Sequence, residues 1–119
     1  MPITVYGIKN CDTMKKARAW LDKHGAAYEF HDYKTRGVDK ERLEGWANKA
    51  GWEVLLNKSG TTFKKLPEND KEGLNEAKAI RLMLAQPSMI KRPVLELARG
   101  RLLVGFKPEE YQSAFNKGG

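Results

Sequence analysis

The stretch ITVYGIKNCDTMKKARAWLDKHGAAYEFHD, residues 3–32, decides the fold. Residues 3–6 form a β-branched and aromatic run, which predicts a strand. Residues 12–24 carry apolar side chains at helical spacing, and Gly25 follows where a helix C-terminal cap belongs. Residues 28–32 predict a second strand. A strand, a helix and a strand in this order normally give two parallel strands joined by a crossover.

The middle of the chain predicts helices. Residues 38–50 carry an apolar stripe, with Asp39 as a candidate N-cap, and residues 52–56 suggest one further helical turn. Residues 74–86 predict a helix that is stopped by Pro87. The side chains expected to face inward from this helix are Ala77, Ile80, Met83 and Leu84.

The last third predicts two more strands, residues 94–97 and 102–104, joined by a tight turn over residues 98–101. Pro108 suits the first turn of a final helix. The order predicts an α/β protein with a four-stranded mixed sheet and a helical subdomain inserted at about residues 36–86. Because the chain has 119 residues and no compositional break, we expect a single domain over residues 1–119.

Composition limits the classes of function. The net charge of +7 comes from basic residues spread along the chain, so we expect a solvated surface and no nucleic-acid partner. No apolar run reaches the length of a membrane span, and the N-terminus lacks a signal-peptide pattern, which predicts a cytoplasmic protein without a membrane partner. One cysteine and two histidines, His24 and His31, are too few for a usual structural zinc site, so no metal is expected.

The single cysteine, Cys11, stands between the first strand and the first helix. Free N–H groups and the positive end of the helix dipole stabilise a thiolate at that place, so the pKa of Cys11 should lie below about 8.5. The alternative is an inert, buried cysteine. Polar neighbours favour the reactive interpretation: Asn10, Asp12 and Thr13. Nearby lysines add positive charge: Lys9, Lys15 and Lys16.

The spacing around Cys11 argues against two cysteine chemistries. A C-x-x-C redox pair needs a cysteine where Met14 stands, and a C-x5-R phosphatase loop needs an arginine where Ala17 stands. A second candidate segment is MIKRPV, residues 89–94. Its Arg92 could bind an anion and its Pro93 could follow a cis peptide bond, although the segment could equally be an ordinary loop.

The segments VYGIKNCDTMKKARAWL (residues 5–21) and MIKRPVLEL (residues 89–97) resemble the arsenate reductase family, the ArsC-like proteins that also include Spx. Within that family the chain is most similar to the YffB-type proteins. The resemblance implies a thioredoxin-like fold with a helical insertion, in which Pro93 is a cis-proline facing the cysteine loop.

The resemblance also implies a function. Arsenate reductases of the family use a cysteine and three arginines, of which this chain matches Cys11 and Arg92. Asn57 stands where another arginine is expected, and residues 104–106 contain none. The YffB-type resemblance therefore implies a glutathione-dependent thiol reductase with Cys11 and Arg92 as catalytic residues. Glutathione and substrate binding is assigned to a set of neighbours: Asn10, Asp12, Thr13, Lys91 and Pro93.

In this interpretation glutathione is a co-substrate, no cofactor stays bound, and the second substrate is a small-molecule or protein thiol or disulfide. The resemblance leaves two alternatives. One is an arsenate reductase that also uses glutathione. The other is an Spx-like regulator that binds RNA polymerase.

Overall fold

The structure is a computed structural model that describes residues 3–9, 11–97 and 100–117, with side chains to residue 115. Backbone contacts divide the chain into two units. We call Met1–Asp32 together with Arg92–Gly119 the sheet unit, and Tyr33–Lys91 the helical unit. No helix in the described ranges is long and apolar enough to cross a membrane.

The sheet unit contains four strands in the order β2-β1-β3-β4. Their bounds are β1 Ile3–Gly7, β2 Tyr28–Asp32, β3 Val94–Glu96 and β4 Leu102–Val104. β1 pairs in parallel with β2 and antiparallel with β3, and β3 pairs antiparallel with β4. The predicted four-stranded mixed sheet is confirmed, and its β-α-β and β-β-α halves make the fold thioredoxin-like.

The remaining regular elements of the described chain are helical. In order they are α1 Asp12–Lys23, α2 Tyr33–Arg36, α3 Lys40–Ala50, α4 Trp52–Leu55, α5 Thr61–Lys64, α6 Glu68–Lys71, α7 Glu76–Ala85 and α8 Pro108–Lys117, with a 3-10 turn at Pro87–Met89 between α7 and β3. The predicted start of the last helix at Pro108 is therefore confirmed.

One face of the sheet carries the core of the sheet unit. Alternate strand residues point to the same face, and this face includes Ile3 and Val5 of β1 and Leu95 of β3. The same cluster contains the buried stripe of α1 and Tyr111 of α8. Burying these apolar groups fixes α1 against the strands, and so fixes the position of its first turn.

The last residues of the helical unit bond to earlier parts of the same unit. The hydroxyl of Tyr33 donates a 2.7 Å hydrogen bond to the carbonyl of Ile90, and this pair is buried. Leu56 and Ile90 also form an isolated antiparallel bridge. Within the unit, α3 contacts both α4 and α7, so the segment holds together through its own packing.

The structure corrects several details of the prediction. Ala77 is exposed, because the inward stripe of α7 consists of Ala79, Ile80 and Met83. The side chain of Asp39 makes no capping hydrogen bond at α3. α7 begins at Glu76 and is capped by Asn75, whose side chain accepts from the N–H of Lys78.

Short elements were the hardest to predict. The pattern did not predict α2 or α6, which are too short to show helical periodicity. The turn suggested at residues 52–56, by contrast, is confirmed as α4. The predicted turn over residues 98–101 includes Ala98 and Arg99, which lie outside the described residues.

Candidate active site around Cys11

Cys11 occupies the N-cap position of α1 in an extended conformation, with φ −129° and ψ 132°. Its carbonyl accepts a 3.0 Å hydrogen bond from the N–H of Lys15, the first bond of the helix. The side chain is half-buried and packs against the core cluster of the sheet unit. Cys11 therefore stands at the positive end of α1, as predicted, and is partly accessible.

Opposing influences act on the Cys11 thiol, and the net effect lowers its pKa. Partial burial is the largest single influence and raises the pKa, because it disfavours the charged thiolate. The backbone N–H of Met14 lowers it, followed by a hydrogen bond from Arg92, the N–H of Thr13 and the charge of Arg92. The side chain makes no formal capping hydrogen bond, which is consistent with sulfur being a weak acceptor of long bonds. The arrangement stabilises a thiolate.

Strand pairing accounts for the presence of Arg92 at this site. β3 begins two residues after Arg92 and lies beside β1, where Val94 pairs with Tyr6. The N-terminal end of β3 thus meets the C-terminal end of β1, from which the Cys11 loop departs. The half-buried Arg92 consequently reaches the Cys11 sulfur, although the two residues are far apart in sequence.

The peptide bond between Arg92 and Pro93 is cis, as the resemblance led us to expect. Pro93 is buried, and its carbonyl accepts a 2.8 Å hydrogen bond from the N–H of Gly105. That bond ties the start of β3 to the end of β4. The segment carrying Arg92 is therefore held by the sheet.

The other predicted site residues have different positions. Asn10 lies outside the described residues. Asp12 is exposed in the first turn of α1, and Thr13 contributes its backbone N–H to the thiolate. Lys91 belongs to the helical unit, where its N–H donates a 2.7 Å bond to the carbonyl of Leu55 and its side chain is exposed.

The charge found to act on Cys11 is that of an arginine, whereas the sequence pointed to nearby lysines. Among the described residues, the positive charge that lowers the pKa of Cys11 belongs to Arg92. The three lysines near Cys11 are exposed instead: Lys9, Lys15 and Lys16. Solvent screens such charges, whereas a hydrogen-bonded guanidinium acts directly on the sulfur.

In the sequence, Met14 stands out only as the residue in place of a second cysteine. In the structure its backbone N–H is the strongest of the groups that lower the pKa of Cys11, and its side chain is fully buried. A signal was present in the sequence, since a residue three positions after an N-cap normally directs its N–H towards the cap side chain. In the described part of the chain, no cluster of three or more His, Cys, Asp or Glu residues could hold a metal ion.

A profile of the ArsC family matches residues 6–114, nearly the whole chain and both segments of the Cys11 site. This protein belongs to the ArsC family. A solved YffB protein is 64% identical, with a TM-score of 0.91 over 94% of this chain and 97% of its own. A solved ArsC-related protein from Brucella melitensis is 58% identical, with a TM-score of 0.77 over 97% and 95%.

The chain is also similar to a protein that is named as a regulator. The global transcriptional regulator Spx of Streptococcus agalactiae is 31% identical over 93% of this chain and 81% of its own length. Membership of the ArsC family therefore supports the fold, while the reaction has to be argued from the site.

Proposed function

We propose that this protein is a cytoplasmic, glutathione-dependent thiol reductase in which Cys11 is the nucleophile. The observation that carries the proposal is the position of Cys11, which is half-buried at the N-cap of α1. The N–H groups of Thr13 and Met14 and the guanidinium of Arg92 lower the pKa of its thiol there. A thiolate is the nucleophilic form of cysteine. Partial exposure leaves the sulfur open to a second sulfur atom.

The reaction has two exchange steps. In the first, the Cys11 thiolate attacks the glutathione sulfur of a mixed disulfide. A bond forms between Cys11 and glutathione, the original S–S bond breaks, and its electron pair leaves with the substrate thiolate, which takes a proton from water. In the second, a glutathione thiolate attacks the Cys11–glutathione disulfide, which releases glutathione disulfide and restores the Cys11 thiolate.

An external thiol is needed because Cys11 is the one cysteine of the chain. No internal residue can form a disulfide with it, so the second step requires a soluble thiol. Glutathione supplies that thiol and carries negatively charged carboxylates. The basic surface of a chain with net charge +7 suits such an anion.

In this proposal Arg92 stabilises the thiolate as attacker and as leaving group, and the backbone beside Pro93 aligns the glutathionyl chain in the manner of an added strand. The assignments of Asp12, Thr13 and Lys91 to glutathione binding are part of the proposal. Each can be tested by the effect of an alanine substitution on the KM for glutathione.

Cys11→Ser is the decisive variant. We expect loss of glutathione-dependent disulfide reduction to the background rate, because a serine hydroxyl is not ionised at neutral pH and forms no disulfide. The assay measures release of glutathione disulfide from a glutathionylated peptide. Mass spectrometry of the wild type should show one glutathione adduct on Cys11 after incubation with glutathione disulfide. Full activity of Cys11→Ser would refute the proposal.

The same assay separates the alternatives. Oxidation of glutathione that depends on added arsenate would identify arsenate as the substrate, in line with the name of the Brucella melitensis relative. Binding of RNA polymerase that survives Cys11→Ser, together with a wild type that forms no glutathione adduct, would support the role that the Spx relative is named for.

A further inference from the structure

Gly7, the last residue of β1, lies against the side chain of Met14 in the first turn of α1. A Cβ atom built on Gly7 would come within 2.2 Å of Met14 Sδ and 2.6 Å of its Cε. These distances are far below van der Waals contact. The thioether of Met14 thus fills the volume that a side chain at position 7 would need.

The backbone of Gly7 does not itself require glycine. Its φ lies outside the left-handed region, unlike the φ of +69° at Gly25. An alanine could adopt this conformation without strain. The reason for glycine at position 7 is therefore the close approach of Met14.

Met14 also serves Cys11. Its side chain is fully buried and belongs to the core cluster, against which Cys11 packs. Met14 is the third residue of α1 after the extended N-cap Cys11, and the N–H at that position lies on the side of the cap side chain. Met14 thus connects the end of β1 to the Cys11 sulfur. Its side chain packs against Gly7, and its N–H is on the side of the sulfur.

We propose that the contact between Gly7 and Met14 is a positioning device, which holds the first turn of α1 so that the N–H of Met14 stays directed at the Cys11 sulfur. The inference rests on the proposed role of Cys11 as a thiolate nucleophile. Gly7 and Met14 do not touch the reacting atoms through their side chains. They act through the direction of one N–H group, to which a hydrogen bond is sensitive.

The inference also explains why position 14 holds methionine. A methionine is long and unbranched, so it can reach the space over a strand glycine. A cysteine at position 14 would be shorter and would leave that space unfilled. In this chain the residue that would otherwise complete a C-x-x-C pair is used as an anchor for the single thiolate.

The test is the pH profile of Cys11 alkylation by iodoacetamide in the full chain. We expect Gly7→Ala to slow alkylation at about pH 6 by about three- to tenfold, with the alkaline plateau unchanged. The new methyl group meets the flexible end of the Met14 side chain, but that side chain is fully buried, so it makes room by shifting the first turn of α1 and with it the N–H of Met14. Met14→Ala should also slow alkylation. The double variant Gly7→Ala/Met14→Ala should react faster than Gly7→Ala, because the shortened side chain leaves room for the new methyl group.

Gly45→Ala is the matched control, since a Cβ at Gly45 in α3 meets no atom within 4 Å. Its profile should coincide with that of the wild type. A wild-type profile in Gly7→Ala, or a double variant slower than Gly7→Ala, overturns the inference. If Gly7→Ala fails to fold, Met14→Ala decides, and an unchanged profile in that variant overturns it.

Failure of the proposed function would look different. Wild-type protein incubated with glutathione disulfide in parallel reports the glutathione adduct by mass. A wild type without that adduct refutes glutathione chemistry, whereas the iodoacetamide profiles of the variants still report whether Gly7 and Met14 position the thiolate.

Discussion

The thiol of Cys11 is exposed to two opposing physical effects. Burial raises its pKa, while the N–H groups of Met14 and Thr13 and the guanidinium of Arg92 lower it, and the lowering prevails. A half-buried position combines two advantages for a reactive thiolate. It keeps the donors close and poorly screened, and it leaves the sulfur open to a substrate.

Replacement of Arg92 should change the pH dependence of Cys11. A thiol is ionised above its pKa, so a lowered pKa keeps alkylation fast as the pH falls. Arg92→Ala should raise the pKa of Cys11 and slow alkylation at about pH 6 by about tenfold, with little change at alkaline pH. Arg92→Lys should be intermediate, because lysine keeps the charge but not the planar donor set.

The rate of Cys11 alkylation, measured at a series of pH values, reports the change in pKa. Arg18→Ala is the control. Arg18 belongs to the same unit, where its Nε donates to the hydroxyl of Tyr28 and its guanidinium lies 5.0 Å from the centre of the Phe30 ring. A profile of Arg92→Ala identical to that of Arg18→Ala would contradict the role given to Arg92.

The helices differ in how their ends are stabilised. The side chain of Asn75 accepts a 2.9 Å bond from the N–H of Lys78 at the start of α7. Asp39 occupies the same position at α3 without such a bond. Both residues belong to the class that caps helices, so sequence alone could not distinguish them.

This difference predicts unequal losses of stability. Asn75→Ala should lower the free energy of unfolding by about 1 kcal/mol, because an N–H of the first turn loses its partner. Asp39→Ala should cost less, since it removes only the interaction of a carboxylate with the helix dipole, about 0.3–1 kcal/mol at most. Urea denaturation of the two variants tests the order. Equal losses would mean that the Asn75 bond adds nothing.

At the scale of the whole molecule, one row of apolar side chains crosses all four strands on the face of the sheet that packs against α1. Phe30, Val5, Leu95 and Leu103 are successive cross-strand partners in this row. Val5 and Leu95 are fully buried, whereas the edge residue Leu103 is half-buried. The row fixes the register of β3 against β1. That register places Arg92 beside the Cys11 loop.

Leu95→Ala should therefore be among the most destabilising apolar truncations. We expect a loss of about 2–5 kcal/mol, because a fully buried leucine leaves a cavity between β1 and β4. Leu103→Ala, the matched change on the neighbouring strand, should cost less, since part of that side chain is already in water. Thermal and urea unfolding measure both. A larger loss in Leu103→Ala would contradict the central position of β3.

Much of the architecture followed from local sequence. Residues 28–32 were predicted as a strand and form one, and Pro108 begins the last helix as predicted. These elements have strong local signals, such as aromatic residues at alternate positions and a proline at a helix start. Errors fell on α2 and α6 and on Ala77, where a face of α7 was assigned without knowledge of its neighbours. Helical spacing identifies a stripe, but packing decides which side of the stripe is buried.

By itself, the sequence determined that Cys11 lies at the start of a helix without a second cysteine, because helix signals and residue counts are local properties. Only the tertiary structure decided which groups act on it. Arg92 reaches the sulfur because β3 pairs with β1, and Met14 directs its N–H there while its side chain lies over Gly7. Pairing and packing bring together residues that are distant in the chain, and their free energy comes from contacts that no single segment contains.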